Sequence, residues 1–509
     1  MKRTRRDAPG TWSWPFSCFR IAVCLPEAES PAMSDYYRHT KIIATLGPAT
    51  ESKEMLAQLV RGGVDILRLN MAHATHQWVK DAMWFIREVS AEVGRHVAVM
   101  MDVKGPEIRT GKVERPISLV VGDRIEFHIE GVNPTGDLPS VSVNYPGLPG
   151  DLEVGNVVLV DSGLIRMKVF EKDASRVRLE VLTPGELGSK RHINLPGVQV
   201  NLPALTEKDR ADLRAGVESG IDFVALSFVR QAEDVHTLRR LLDELGSKAR
   251  IISKIEDQAG VRNMTAIVRA SDAIMVARGD LGIEIDYHKL PLVQTELVHA
   301  CQADGKPVII ATHLLESMIS SPMPTRAEIS DVSNAVREQA DAIMLSGETT
   351  VGAYPMETVQ VLKNIIQSIE PSVTKGLNDR IVLREPKAMM LRSAAVLASE
   401  LEKNGAGSSG IVVFTRSGFL AYVLGALRPR GVPIYAFTDV DHIFRQLLLP
   451  WGVEPFLMEF SEDPERTIHD ALDYLKRREW AAPGDWLVVI TNALADDKVI
   501  DTLQLRQVE

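Results

Sequence analysis

A chain of 509 residues exceeds what one hydrophobic core organises, since single domains seldom pass ~200 residues. Its net charge of -10 argues against a nucleic-acid-binding surface. No apolar run reaches the ~18–20 residues of a transmembrane helix, so a membrane-spanning chain is not expected.

The first 32 residues differ in character from the rest. Lys2, Arg3, Arg5 and Arg6 precede a short apolar patch from Trp12 to Leu25 that Pro15 and Arg20 interrupt. A secretory signal needs an unbroken apolar centre, so this stretch reads as a disordered leader (1–37) with Met33 as the true start. Cys18 and Cys24 lie in that leader and Cys301 stands alone in the body. With no disulfide framework, a cytoplasmic location is expected.

From Lys41 onward, short apolar runs alternate with longer amphipathic ones, the pattern of βα units around a parallel sheet. Strands are predicted at 41–47, 64–70, 96–102, 221–228, 250–256, 273–278, 307–312 and 341–346. Helices are predicted at 52–62, 76–93, 206–219, 231–246, 258–271, 287–304, 326–338 and 355–369. Eight of each is the count of a (β/α)8 barrel, divided here into 38–110 and 205–372. About ninety residues, 111–204, interrupt it between the third strand and the third helix. Their alternations at 118–129, 157–170 and 176–182 predict a small inserted β domain, placed where a lid would sit. Beyond Pro371, residues 373–509 read as a separately packed, doubly wound α/β domain. Its strands fall near 411–415, 433–437, 454–460, 486–491 and 502–508. Its helices fall near 388–402, 417–427, 440–448 and 464–477.

The chemistry-bearing residues gather where barrel strands end. In Ile251-Ile-Ser-Lys-Ile-Glu256, Lys254 and Glu256 are two apart and project to one face. In Met275-Val-Ala-Arg-Gly-Asp280, Gly279 lets backbone approach a ligand. Glu256 and Asp280 can share a hard divalent cation such as Mg²⁺, and a lysine beside that ion suits a phosphorylated anion. The plainer alternative is a strand-end salt bridge of Lys254 with a carboxylate.

Further strand ends read Thr45-Leu-Gly-Pro-Ala-Thr50, Leu67-Arg-Leu-Asn-Met-Ala-His73 and Met101-Asp-Val-Lys-Gly-Pro-Glu-Ile-Arg-Thr-Gly111. Two more read Ala311-Thr-His-Leu-Leu-Glu-Ser-Met318 and Met344-Leu-Ser-Gly-Glu348, and Asn201-Leu-Pro-Ala-Leu-Thr-Glu-Lys208 follows the insertion. In this order on eight βα units, the motifs resemble the pyruvate kinase family, and some variants are similar to its plastid-type and bacterial members.

The resemblance implies phosphoryl transfer from phosphoenolpyruvate to ADP in glycolysis, with Mg²⁺ (or Mn²⁺) on Glu256 and Asp280. It implies that Lys254 and Arg68 act on the phosphoryl group. The amides of Arg278 and Gly279 and the Thr312 hydroxyl would hold the carboxylate. Thr312 and Ser346 would end a relay that protonates the enolate. Pro48, Asn70, His73, Arg109 and Lys190 or Arg191 would meet the nucleotide. K⁺ would bind Asn70, Asp102 and the Val103 carbonyl, at a site left incomplete by Ala72. The family also implies a homotetramer.

An effector site is expected at Thr415, Ser417 and Gly418, with an ordinary turn capped by Ser417 as the alternative. Beside the members of the family that respond to fructose-1,6-bisphosphate, Phe419 and Leu420 replace polar residues and Asp496 and Asp497 replace a glycine-rich loop, so the resemblance implies a monophosphorylated sugar or nucleotide instead. Structural alternatives stand beside several roles: Arg68 paired with Asp102, His73 capping a helix, Glu348 paired with Arg278. Two other functions remain open on the residues alone. One is a Mg²⁺-dependent pyruvate-enolate carbon–carbon lyase, and the other is a regulatory subunit of a hetero-oligomeric kinase.

Overall fold

The computed structural model describes residues 37–373, 376–404, 409–495 and 498–509. Residues 1–36 of the leader and the Asp496–Asp497 pair lie outside the described residues. Strands β1 (Lys41–Thr45), β2 (Ile66–Asn70) and β3 (Ala98–Val103) alternate with helices α1 (Lys53–Gly62) and α2 (His76–Val93). The inserted region follows. It contributes β4 (Ile117–Leu119), β5 (Arg124–Ile129), β6 (Ser140–Val143), the short helix α3 (Leu148–Asp151), β7 (Val157–Val160), β8 (Ile165–Lys172), β9 (Arg176–Val181), β10 (Gly185–Leu187) and β11 (Ile193–Asn194). Six of these strands form a sheet in the order β11-β7-β8-β9-β5-β6, and β10 pairs with β4. The sequence pattern anticipates the long alternating strands and misses β6, β10 and β11, whose two to four residues carry too short a period to register.

The barrel resumes with α4 (Glu207–Ser219), β12 (Phe223–Leu226), α5 (Ala232–Glu244) and β13 (Arg250–Ile255). Next come α6 (Gln258–Arg262), α7 (Met264–Ala270), β14 (Ala273–Ala277), α8 (Arg278–Glu284) and α9 (Leu290–Asp304). It ends with β15 (Val308–Ala311), α10 (Arg326–Arg337), β16 (Ala342–Leu345), α11 (Gly347–Thr350) and α12 (Pro355–Ile369). The eight parallel strands close in the order β1-β16-β15-β14-β13-β12-β3-β2. Seven lie within the predicted runs, and β3 passes the end of its run by one residue, Val103.

Two helical expectations are corrected. The single helix expected at 258–271 breaks at Asn263, whose Nδ2 donates to the Arg230 carbonyl at 2.7 Å. An asparagine with a nearby carbonyl to serve competes with the helix ladder. The helix α8 was not anticipated at all, and it begins on the very residues of the strand-end motif.

The last domain has β17 (Ser409–Phe414), β18 (Ile434–Thr438), β19 (Val453–Leu457), β20 (Trp486–Ala495) and β21 (Lys498–Gln507), in the order β19-β18-β17-β20-β21 with β21 antiparallel. Helices α13 (Pro386–Lys403), α14 (Phe419–Leu427), α15 (Asp441–Gln446) and α16 (Pro464–Arg477) accompany them. Leucines of α13 and α14 pack in one apolar cluster, and Ile468 and Leu475 of α16 in another, so the sheet is covered on both faces.

The expectation of separate packing is corrected. Leu448 and Leu449 are buried in the barrel's own interior cluster, with Ile43, Ile66, Met100 and Phe223. Four polar links accompany them. Lys41 Nζ donates to the Val453 carbonyl at 2.6 Å, Arg445 pairs with Asp222 at 2.6 Å, and Gln446 Nε2 donates to the Lys248 carbonyl at 2.8 Å. Arg428, 2 % exposed, pairs with Asp341, 1 % exposed, at 2.6 Å. A sheet's alternation marks its own core but says nothing of loop leucines that fill a neighbour.

Candidate active site

Lys254 sits on β13, two strands from Asp102 on β3, and is almost fully buried. Its ammonium has three partners: Glu256 Oε1 at 2.9 Å, Ser227 Oγ at 2.9 Å and Asp102 Oδ1 at 3.3 Å. Burial works against the charge, but Asp102 and Glu256 outweigh it and raise the ammonium pKa. Arg68 on β2 donates from Nε to Asp102 Oδ2 at 2.7 Å and from Nη1 to Thr45 Oγ1 at 3.1 Å. Both simple pairings considered from sequence therefore exist. They also bring two cations, from β2 and β13, onto the one carboxylate of Asp102.

Glu256 is 1 % exposed and accepts the Phe228 N–H at 2.6 Å. Burial pushes its carboxyl up to about 7; Lys254 pulls it back and the Asp280 charge raises it further. The Asp280 charge beside the buried Glu256 carboxyl makes a donor set that a hard divalent cation relieves, and all the donors are oxygen. Among the described residues no cluster of three or more His, Cys, Asp or Glu side chains converges. The pair suits an ion completed by substrate and water, as Mg²⁺ prefers.

Asp280 lies in the first turn of α8, where a negative charge meets the positive end of the helix. Thr312 and His313 hold positive φ of 64° and 55°, a conformation that costs a β-branched residue appreciable strain. The strain turns the Thr312 hydroxyl to accept the Gly279 N–H at 2.7 Å. A Cβ at Gly279 would stand 3.3 Å from that hydroxyl, so a side chain there would have to push Thr312 back by a few tenths of an ångström. Arg278 does not reach Glu348. It pairs with Asp331 at 2.7 Å and donates to the Thr312 and His313 carbonyls, while Glu348 accepts the Ser346 and Leu315 amides. The Ser346 hydroxyl is buried without a hydrogen-bond partner.

Of the residues expected on the nucleotide side, Arg109 donates to the Lys190 carbonyl at 2.7 Å and to Glu107 at 2.6 Å. Arg191 turns to Asp161 at 3.2 Å. Pro48, Asn70 and His73 lie at the ends of β1 and β2, with Pro48 and His73 exposed. Asn70 Oδ1 accepts the Ala72 N–H at 3.1 Å, and the Val103 carbonyl accepts the Ser227 hydroxyl at 2.8 Å.

The loop 415–418 lies at the far end of the chain. Gly418, with φ of 80°, precedes α14 and donates to Thr415 Oγ1 at 2.9 Å. The cap position belongs to Gly418 rather than Ser417, because only a left-handed turn brings the chain into α14 there. Arg250, the first residue of β13, donates to the Ser417 carbonyl at 3.2 Å.

Sequence reasoning missed Ser227 and Phe228, which follow β12 and touch Lys254 and Glu256. The only signal was a polar residue directly after an apolar strand. It also missed a tie between inserted domain and barrel. Asn194 Nδ2 donates to Glu284 Oε1 at 2.9 Å, and Glu284 is the last residue of α8.

Burial raises the Glu284 carboxyl to about 7. A carboxyl raised above its unfolded value contributes full stability below ~4.5 and loses it as pH climbs through 7. In the metal-free protein, Glu284→Gln is thus expected to raise Tm at pH 8 and match the parent at pH 5. The relief is on the order of 3 kcal/mol. Equal Tm differences at both pH values would remove the buried-carboxylate explanation.

A closed (β/α)8 barrel with carboxylates and cations at its strand ends, beneath an inserted β domain, defines an enzyme of phosphoryl or enolate chemistry. Residues 37–359 match the family model "Pyruvate kinase, barrel domain" and residues 392–504 match "Pyruvate kinase, alpha/beta domain". The chain belongs to the pyruvate kinase family. It is 40% identical over 477 residues to plastidial pyruvate kinase 2 of Arabidopsis thaliana, covering 92% of this chain and 81% of that one. It is also 40% identical to a pyruvate kinase of Sporosarcina psychrophila, covering 89% and 77%. A crystal structure of a pyruvate kinase from Cryptosporidium parvum superimposes with a TM-score of 0.85 at 32% identity, over 93% of this chain and 96% of that one.

Proposed function

We propose that the protein is a pyruvate kinase, moving a phosphoryl group from phosphoenolpyruvate to ADP and releasing pyruvate and ATP. The observation that carries this is the buried Lys254–Glu256–Asp102–Arg68 array at the barrel mouth. A lyase has no need of the lysine, and a silent regulatory subunit would have lost some of these groups. Domain limits of 38–110 with 205–372, 111–204 and 373–509 follow the insertion.

In this reading Lys254 and Arg68 stabilise the phosphoryl group as its charge redistributes. Glu256 and Asp280 would hold Mg²⁺, which would supply Lewis-acid charge at the phosphoryl and enolate oxygens. The Arg278 and Gly279 amides and Thr312 orient the carboxylate. Thr312 and the unpartnered hydroxyl of Ser346 carry a proton toward the enolate. Arg109, with Lys190 or Arg191, and Pro48, Asn70 and His73 receive ADP. A homotetramer and a cytoplasmic location accompany the reading, as does a monophosphorylated sugar or nucleotide at Thr415, Ser417 and Gly418. A lactate-dehydrogenase-coupled assay with phosphoenolpyruvate, ADP and Mg²⁺ tests it, and no pyruvate formation would overturn it.

K⁺ would sit among Asn70, Asp102 and the Val103 carbonyl, adding a positive charge near the phosphate. Ala72 supplies no side-chain oxygen, and no new cation replaces the ion, because Lys104 is tied to Glu107 at 2.7 Å. The enzyme is expected to respond to K⁺ but saturate at high concentration, and Ala72→Ser to lower the concentration needed. KCl titration at fixed ionic strength in an organic-cation buffer checks this. Full activity without K⁺, unchanged on addition, would mean that no site exists.

A further inference from the structure

We infer that Ser227 is a positioning residue that aims the Lys254 ammonium, a role resting on the reading of Lys254 given above. A lysine side chain has several rotatable bonds, and catalysis requires its charge at one point. Three groups hold it. Glu256 and Asp102 are carboxylates, which orient the ammonium but also cancel part of its charge. The third, Ser227 Oγ at 2.9 Å, is neutral and fixes direction without neutralising the charge needed for the phosphoryl group.

The hydroxyl is itself held. Ser227 is 4 % exposed, and its proton goes to the Val103 carbonyl at 2.8 Å, with Asp102 Oδ1 farther away at 3.3 Å. A hydroxyl with its proton committed presents a lone pair in a fixed direction, and Lys254 meets it. The backbone supports the same arrangement. Phe228 adopts a positive φ of 53°, and its N–H reaches Glu256 Oε2 at 2.6 Å. One strained turn after β12 thus sets two working side chains, Lys254 on β13 through a hydroxyl and Glu256 just after it through an amide.

The test compares parent, Ser227→Ala, Ser227→Thr and Lys254→Met for kcat, phosphoenolpyruvate KM, phosphoenolpyruvate Kd by thermal-shift titration, and Tm. Ser227→Ala is expected to lose kcat on the order of 10- to 100-fold, as a displaced reacting group does. Its KM, Kd and Tm should stay near the parent values. Ser227→Thr, which keeps the oxygen, should recover most of the loss. The inference is overturned if Ser227→Ala turns over within twofold of parent while Lys254→Met is inactive. It is equally overturned if the alanine and threonine variants lose kcat alike, or if the loss follows Kd and Tm together, as a merely structural role would require. Near-normal turnover by Lys254→Met would instead remove the role of the lysine, and that of Ser227 with it.

Discussion

Replacing Lys254 by methionine is expected to lower kcat on the order of 10³-fold while phosphoenolpyruvate affinity changes only a few-fold. Methionine fills nearly the same volume, so the barrel mouth keeps its packing, but the charge disappears. The ground-state phosphate retains Arg68 and the divalent ion. The ammonium matters most when negative charge spreads over the oxygens of the moving phosphoryl group, so its absence falls on the transition state. The parent also spends two buried carboxylates on holding that ammonium, at 2.9 Å and 3.3 Å, which is hard to explain for a residue without work to do. Steady-state kinetics with a melting curve separate the outcomes. Near-parent turnover would end the assignment. A contrasting variant, Glu256→Gln, should first raise the Mg²⁺ concentration needed for half-maximal rate.

Asp341→Ala should destabilise the protein by about 3–5 kcal/mol, the cost of leaving a buried cation without its anion. Asp341 immediately precedes β16 and collects four donors: both terminal nitrogens of Arg428, at 3.0 and 2.6 Å, the Val308 N–H at 2.9 Å and the Trp451 N–H at 3.0 Å. Arg428 comes from the turn after α14 and holds a positive φ of 55°. With Asp341 gone, its guanidinium keeps the Gly425 and Gln339 carbonyls and the face of the Trp451 ring, but no anion. Pairing Asp341→Ala with Arg428→Met removes both charges and should recover part of the loss. Calorimetry of parent, single and double variants checks this; a single variant melting at the parent temperature would show that the pair contributes nothing.

The barrel was legible in the sequence because its strands are buried on both faces and read as continuous apolar runs, each closed by charged residues. Lys254 and Glu256 were legible for the same reason, since charged residues that close an apolar run mark a strand end, although a plain salt bridge accounts for them there as well as a site does. Ser227 was not, because a serine after a strand is commonplace and only the fold brings it to Lys254. Helix α8 escaped because Arg-Gly-Asp reads as a loop, and its cap residue Ala277 carries no side-chain signal. Leu448 and Leu449 were read as part of their own domain, since sequence period identifies an apolar face and not its partner.

Those two leucines bear on how such enzymes can be recombined. The chain invites a graft in the polar stretch after Pro371, exchanging the last domain for that of a relative with a different effector. Packing puts the seam elsewhere. The floor of the barrel is finished by Leu448 and Leu449, and its rim by Arg428, Arg445 and Gln446, all from the donor side of such a cut. A chimera joined at that linker inherits a foreign plug in a cavity shaped by Ile43, Met100 and Phe223. The exchangeable module is therefore the effector loop and its outer sheet, transplanted onto the resident 428–453 segment.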